Sequence, residues 1–146
     1  MISTAPTLIY LDSNALIRFV EGTEVPLLSL LQHAKRGRAQ LFTSELTLAE
    51  VLVGPLKQKQ GDLIVIYEQL LGDSAAMTMV PVSQTILRAS ATIRAEMGNK
   101  GPDAIHVATA VACACSVFVS SDKRIKLPVG MRRIDADHVG SLDLGP

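Results

Sequence analysis

Thr7-Leu-Ile-Tyr-Leu11 runs straight into Asp12-Ser-Asn14, and the reading of this junction decides the fold. Five apolar or β-branched residues in a row read as a buried strand. The carboxylate that follows stands where such a strand ends. Ser116-Val-Phe-Val-Ser-Ser121 followed by Asp122 has the same form near the other end of the sequence. An open α/β sheet places its binding crevice outside the carboxyl ends of its strands, so these two acids are candidates for one rim. Asp103 stands beside Pro102 where a helical pattern opens, and Glu50 lies within Thr47-Leu-Ala-Glu-Val-Leu-Val53.

Working outward, strand-like and helix-like segments alternate. Ser13 or Asn14 is placed to cap a short helix reaching about Val20. Pro26 opens a second helix and Gly37 stops it, with Leu27, Leu28, Leu30, Leu31 and Ala34 on its apolar side. Gln40–Thr43 reads as a strand. Ser44 caps a helix over Glu45–Val53, and Gly54-Pro55 ends it. Lys57 to Leu71 forms one helical pattern, Met77–Val82 a strand, and Ser83 to Met97 a helix. Pro102–Cys115 reads as a long Ala-rich helix, Val117–Val119 as a strand and Arg132–Ile134 as a last one. This alternation predicts an α/β fold, a mostly parallel sheet with helices on both faces. At 146 residues, one domain spanning 1–146 is the natural count.

Composition excludes several classes. A hydrophobic fraction of 48% is ample for a core. Zero formal net charge, with a pI near 6.8, argues against a protein held on nucleic acid by bulk charge. Aromatics at 3% are too few for a base-stacking platform. Cys113 and Cys115 are two apart in a helical pattern, where side chains do not face each other, and read as small buried apolar residues. Met1 to Pro6 contains no basic residue, no secretory apolar region follows, and Val107 to Val119 is too short to span a bilayer. The expected location is cytoplasmic.

Each acid alone has an ordinary explanation. An Asp after a strand is commonly a turn former or a cap, and one at a helix start is favoured by the macrodipole. Glu50 is harder to explain, because Leu46, Ala49, Val51, Leu52 and Val53 leave its helix no wide polar face. A carboxylate in such company needs a partner, since an unpaired buried charge costs several kcal/mol or more. Two like charges about 4 Å apart repel by roughly 4 kcal/mol at an effective dielectric near 20. Four gathered carboxylates therefore call for a cation. Hard oxygen donors without a usable cysteine pair suit Mg²⁺ or Mn²⁺ over zinc.

With these residues in place, the chain resembles the PIN-domain nucleases, most closely their small bacterial VapC-type toxins. The resemblance rests on Leu11-Asp-Ser-Asn14, Thr43-Ser-Glu-Leu-Thr-Leu-Ala-Glu50, Lys100-Gly-Pro-Asp-Ala-Ile-His-Val-Ala-Thr-Ala110 and Val119-Ser-Ser-Asp-Lys-Arg124, in that order. It implies a three-layer α/β/α sandwich and a metal-dependent endoribonuclease with Mg²⁺ or Mn²⁺ as cofactor. Asp12, Glu50, Asp103 and Asp122 take the places of the catalytic, metal-holding acids, and Asn14 and Ser120 those of supporting polar residues. The chain departs in one place: many relatives carry a further acid two positions after the last aspartate, where Arg124 stands here. The resemblance also implies an RNA substrate, a cognate antitoxin whose helix lies across an apolar groove, and a homodimer.

The implied reaction is phosphodiester hydrolysis by an activated water, leaving a 5′-phosphate and a 3′-hydroxyl. Metal-free chemistry through His33, His106 or His138 is the competing route, and His106, one turn after Asp103, reads first as packing or support for the site. Lys123, Arg124 and Lys126, with Arg132 and Arg133 beyond them, form a basic track that either contacts RNA phosphates or is a solvated loop and edge strand. Pro26–Leu31 and Leu46–Val53 carry broader apolar faces than a one-sided surface helix needs. A PIN-like binding module or RNA-processing factor without a toxin role is the alternative function.

Overall fold

The computed structural model describes residues 5–72 and 76–145. The residues before Ala5, read above for targeting signals, lie outside the described ones. Five strands, β1 (Thr7–Leu11), β2 (Ala39–Ser44), β3 (Met77–Val80), β4 (Val117–Val119) and β5 (Arg132–Ile134), form one sheet in the order β3-β2-β1-β4-β5. Every pairing is parallel. The helices are α1 (Ser13–Glu21), α2 (Val25–Lys35), α3 (Glu45–Lys57), α4 (Gly61–Leu70), α5 (Gln84–Met97) and α6 (Gly101–Ala112), with a 3₁₀ turn over Ala136–Ser141.

A sheet covered on both sides must be apolar on both, and β1 is. Ile9 and Leu11 point into a core shared with Leu16 and Phe19 of α1, Leu30 of α2, Val51 of α3 and Tyr67 of α4. Tyr10 points the other way, to Val107 and Ala110 of α6 and Phe118 of β4. Each fully buried side chain of this size contributes roughly 1.5–3 kcal/mol of burial. The expected three-layer α/β/α arrangement is the one found. Its chain order also sets the site: β2 and β3 lie on one side of β1, whereas β4 and β5 lie on the other. The crevice opens where that direction reverses, between the carboxyl ends of β1 and β4.

Four local expectations are corrected. Asp12, not Ser13 or Asn14, caps α1, accepting from the Ala15 amide at 2.8 Å. Gly54-Pro55 does not end α3, which continues to Lys57 with Pro55 buried inside it. The Lys57–Leu71 pattern is broken, because Lys59 takes a φ of +54° and the Gln60 amide closes back on the Pro55 carbonyl at 2.9 Å. Likewise α6 stops at Ala112, three residues early. Ala114 has a φ of +57° and the Cys115 amide reaches the Ala110 carbonyl at 3.0 Å. Both ends are left-handed closures of the kind glycine usually supplies, here made by Lys59 and Ala114.

Candidate active site

Strand register brings the first two site segments together. Leu11 pairs with Val119, so Asp12 and Ser120 emerge side by side at the sheet edge. The Asp12 amide donates to the Val119 carbonyl at 3.3 Å, and the residue is 4% exposed. Ser120 is buried, and its hydroxyl accepts from the Asp122 amide at 3.1 Å. Asn14 is exposed on the first turn of α1, where its Oδ1 accepts from the Ser121 amide at 3.3 Å. Both residues therefore shape the turn that carries Asp122.

Glu50 and Asp103 arrive from opposite faces of the sheet. Glu50 is on α3, and Asp103 is in the first turn of α6. One turn further along α6, the buried His106 places its Nε2 2.6 Å from the Glu50 carboxylate. Its Nδ1 lies 2.5 Å from the Tyr10 hydroxyl, which accepts from the Ser44 amide at 3.1 Å. One direction of donation satisfies every group: Ser44 N–H to Tyr10, Tyr10 O–H to Nδ1, and Nε2–H to Glu50. Burial, with Asp12 nearby, pushes the Tyr10 phenol well up and keeps it protonated as that donor. Thr43 adds a bond of 2.7 Å to the Leu11 carbonyl and another of 2.7 Å to Thr47, tying the end of β2 to the end of β1.

The carboxylates act on one another. Burial, and then the charge of Asp103, raise the Asp12 pKa against hydrogen bonds from Ser120 and Ala15. Burial, then Asp122 and Glu50, raise that of Asp103. Burial works against the Glu50 charge too, but hydrogen bonding to His106 holds its pKa below the usual glutamate value. Arg124 holds Asp122 below the usual aspartate value. Asp103 and Asp122 line a cavity of about 110 Å³ together with Gly98, Asn99, Lys100 and Arg124.

Among the described residues, no three carboxylate, imidazole or thiol groups close tightly enough to grip an ion between them. The donors are nonetheless all hard oxygens, and two of them are charged at a cost that a cation would relieve. A Mg²⁺-like ion is held by one or two carboxylates and keeps several waters, so the residues fit such an ion. His33 and His138 stand apart from this cluster, on α2 and the 3₁₀ turn.

The basic track divides. Lys123, Arg124 and Lys126 are exposed, whereas Arg133 is spent internally, donating to the Ser120 carbonyl at 2.7 Å. Sequence reasoning missed Asn99, whose buried amide spans Lys126 by two bonds of 2.9 Å and ties the Asp122 loop to the α5–α6 turn. It also missed the role of Tyr10, for which a hydroxyl inside an apolar strand was the available signal, since buried phenols need a partner.

The PIN domain family matches the chain over residues 9–128, and the chain belongs to that family. PIN domains are nucleases that generally use divalent metal ions. Among solved structures, the chain is similar to a toxin-antitoxin complex from Klebsiella pneumoniae, at 25% identity over 85% of this chain and 95% of that one, with a TM-score of 0.65. DNA-bound VapBC from Salmonella typhimurium shares the fold at a TM-score of 0.70 and 16% identity, over 89% of this chain and 98% of that one. So does FitAcB from Neisseria gonorrhoeae, at 0.65 and 17% over 89% and 99%. No curated protein shows a significant match. Among the described residues, no helix is long and apolar enough to cross a membrane.

Proposed function

We propose that the chain is a divalent-metal-dependent endoribonuclease acting as the toxin of a toxin–antitoxin pair. One observation carries the reading: carboxylates from four separate segments act on one another at the β1/β4 edge, and Asp12 and Asp103 are charged there at a cost. When bound, Mg²⁺ or Mn²⁺ supplies the charge that acidifies water and polarises a phosphodiester oxygen. Asp12, Asp103 and Asp122 would hold it, with Glu50 completing the anionic rim. His106 and Tyr10 fix the Glu50 carboxylate in one orientation. Ser120 and Asn14 fix the Asp122 turn. The exposed Lys123 and Lys126 can receive phosphates that flank the scissile bond.

The toxin assignment draws on the family and on the neighbours solved as toxin-antitoxin complexes. It is supported by exposed apolar surface: Val25 and Leu28 on α2, and Val53 and Leu56 on α3, are each at least half exposed. Such faces suit an antitoxin helix or a second copy of the chain. The deciding experiment is cleavage of a mixed RNA pool with Mg²⁺ or Mn²⁺, for the wild type and Asp103→Asn. Cleavage that needs both metal and Asp103 supports the proposal. Cleavage that survives EDTA would move the chemistry to histidine, and no cleavage by the wild type would leave a binding module.

A further inference from the structure

Asn99 grips the backbone of Lys126 with both ends of its carboxamide. Its Nδ2 donates to the Lys126 carbonyl at 2.9 Å, and its Oδ1 accepts from the Lys126 amide at 2.9 Å. A carboxamide carries a donor and an acceptor side by side, so it can satisfy the N–H and C=O of one residue together. Asn99 is 7% exposed, and Gly98 before it closes α5 at a φ of +80°. Next to the clamped residue, Ile125 is buried in the core with Tyr10, Val107 and Phe118. The backbone at Lys126 is therefore held from two directions, while the residue itself is exposed.

Asp122 has its own supports, since its amide is bonded to Ser120 and the Ser121 amide to Asn14. The Asn99 clamp acts further along the loop, and what it sets is the place of a cation. The Lys126 ammonium stands beside Gly98, 3.7 Å from the position a β-carbon there would take. The Arg94 guanidinium stands in the same relation to Gly101, also at 3.7 Å. Lys100 lies between these glycines in the sequence. All three cations are exposed, and among the described residues none enters an ion pair. A rim of carboxylates repels a polyanion, so cations beside it with no partner in the protein are the groups that can hold a phosphate backbone there.

We propose that Asn99 is a substrate-positioning residue: by clamping Lys126 to the α5–α6 turn it completes, with Arg94 and Lys100, a patch that takes the RNA backbone beside the carboxylates. This rests on the ribonuclease reading above. The test is cleavage kinetics over a salt series with saturating Mn²⁺, on an RNA oligonucleotide that the wild type cleaves, together with Mn²⁺ calorimetry. Asn99→Ala and Lys126→Ala should each raise KM about fivefold, with kcat and Mn²⁺ affinity held within about twofold. The log–log salt slope of KM should fall by about 0.7 in Lys126→Ala and in Arg94→Ala, and in the same direction in Asn99→Ala. The double variant Asn99→Ala with Lys126→Ala should be no worse than Lys126→Ala alone, because one residue acts through the other. Asn99→Ser, which keeps a polar group but cannot span both backbone groups, should behave as Asn99→Ala does.

Losses that multiply in the double variant, or an unchanged slope in Arg94→Ala, would overturn the proposal and leave the nuclease standing. So would a fall in kcat or Mn²⁺ affinity at unchanged KM, which would assign the clamp to the carboxylates, or failure of both Asn99 variants to fold, which would make it structural. A wild type that cleaves no RNA would overturn this proposal and the ribonuclease reading together.

Discussion

His106 Nε2 stands 2.6 Å from Glu50 Oε1, joining α6 to α3 across the carboxyl edge of the sheet. The imidazole is 2% exposed and the carboxylate side chain 30%, so a buried group orients a half-exposed one. Replacing His106 by Ala would free Glu50 and strip the Tyr10 hydroxyl of a partner. Breaking a buried hydrogen-bonded network of this kind should cost about 2–4 kcal/mol of stability. Metal affinity or activity should fall roughly 10–100-fold, as for other groups that orient metal ligands. Thermal unfolding and Mn²⁺ titration of the same variant check both parts. His106→Gln, which keeps a donor toward Glu50, should recover part of the loss, and a variant indistinguishable from wild type would remove His106 from the site.

Asp12 both caps α1 and carries a desolvated charge. Asn caps a helix about as well as Asp, so Asp12→Asn keeps the cap and removes the charge. The metal-free protein should melt no lower than wild type and up to a few degrees higher. Cleavage and Mn²⁺-induced stabilisation should both be lost. Differential scanning calorimetry with and without Mn²⁺ reads the two effects together; a large drop in the metal-free melting temperature would contradict this account of the charge.

Asp12 and Asp103 hold protons more tightly in the folded chain than in the unfolded one, because burial disfavours their charged forms. Their ionisation opposes folding at neutral pH, and this penalty is relieved as pH falls through their raised values. Glu50 acts in the opposite sense: its folded value is lowered, so its contribution is present above the ordinary glutamate value of 4.5 and is lost on acidification through the lowered one. Metal needs all of these groups ionised. Mn²⁺-induced stabilisation should therefore shrink on acidification from neutral pH toward the ordinary aspartate value of 3.8, sooner than unperturbed aspartates would dictate. Melting curves across that range, with and without Mn²⁺, test it, and a constant increment would count against metal contact with Asp12 and Asp103.

Lys123 and Lys126 are free of ion pairs among the described residues, whereas Arg124 is engaged with Asp122. Neutralising each lysine that contacts a phosphate should lower the salt dependence of single-stranded RNA binding by about 0.7 in the log–log slope. Arg124→Ala should change the slope less than either lysine. Fluorescence anisotropy over a salt series measures this, and equal slopes for all variants would reduce the track to a solvated loop.

The architecture was legible because buried parallel strands leave an unmistakable trace. Thr7–Leu11 and Val117–Val119 are apolar on both faces, and the acids after them sit where such strands end. The ends of α3 and α6 were not legible, because Lys59 and Ala114 adopt a conformation that the sequence signals only through glycine, whereas Gly98 did mark the end of α5 at Met97. Pro55 likewise stands inside its helix with its ring buried, although it has no amide hydrogen to donate, so Gly54-Pro55 is not the stop signal it reads as.

The sequence by itself therefore determined which acids the chain carries, in what order, and that two of them follow central strands. Only the tertiary structure decided which groups serve them: His106 for Glu50, Ser120 for Asp122 and Asp12, Arg124 for Asp122, and Asn99 for the loop between. The reason is one of range. Hydrophobic periodicity is written in neighbouring residues, whereas a carboxylate's charge state and orientation depend on partners that can lie 56 positions away, as His106 does from Glu50, and meet it only once the sheet has formed.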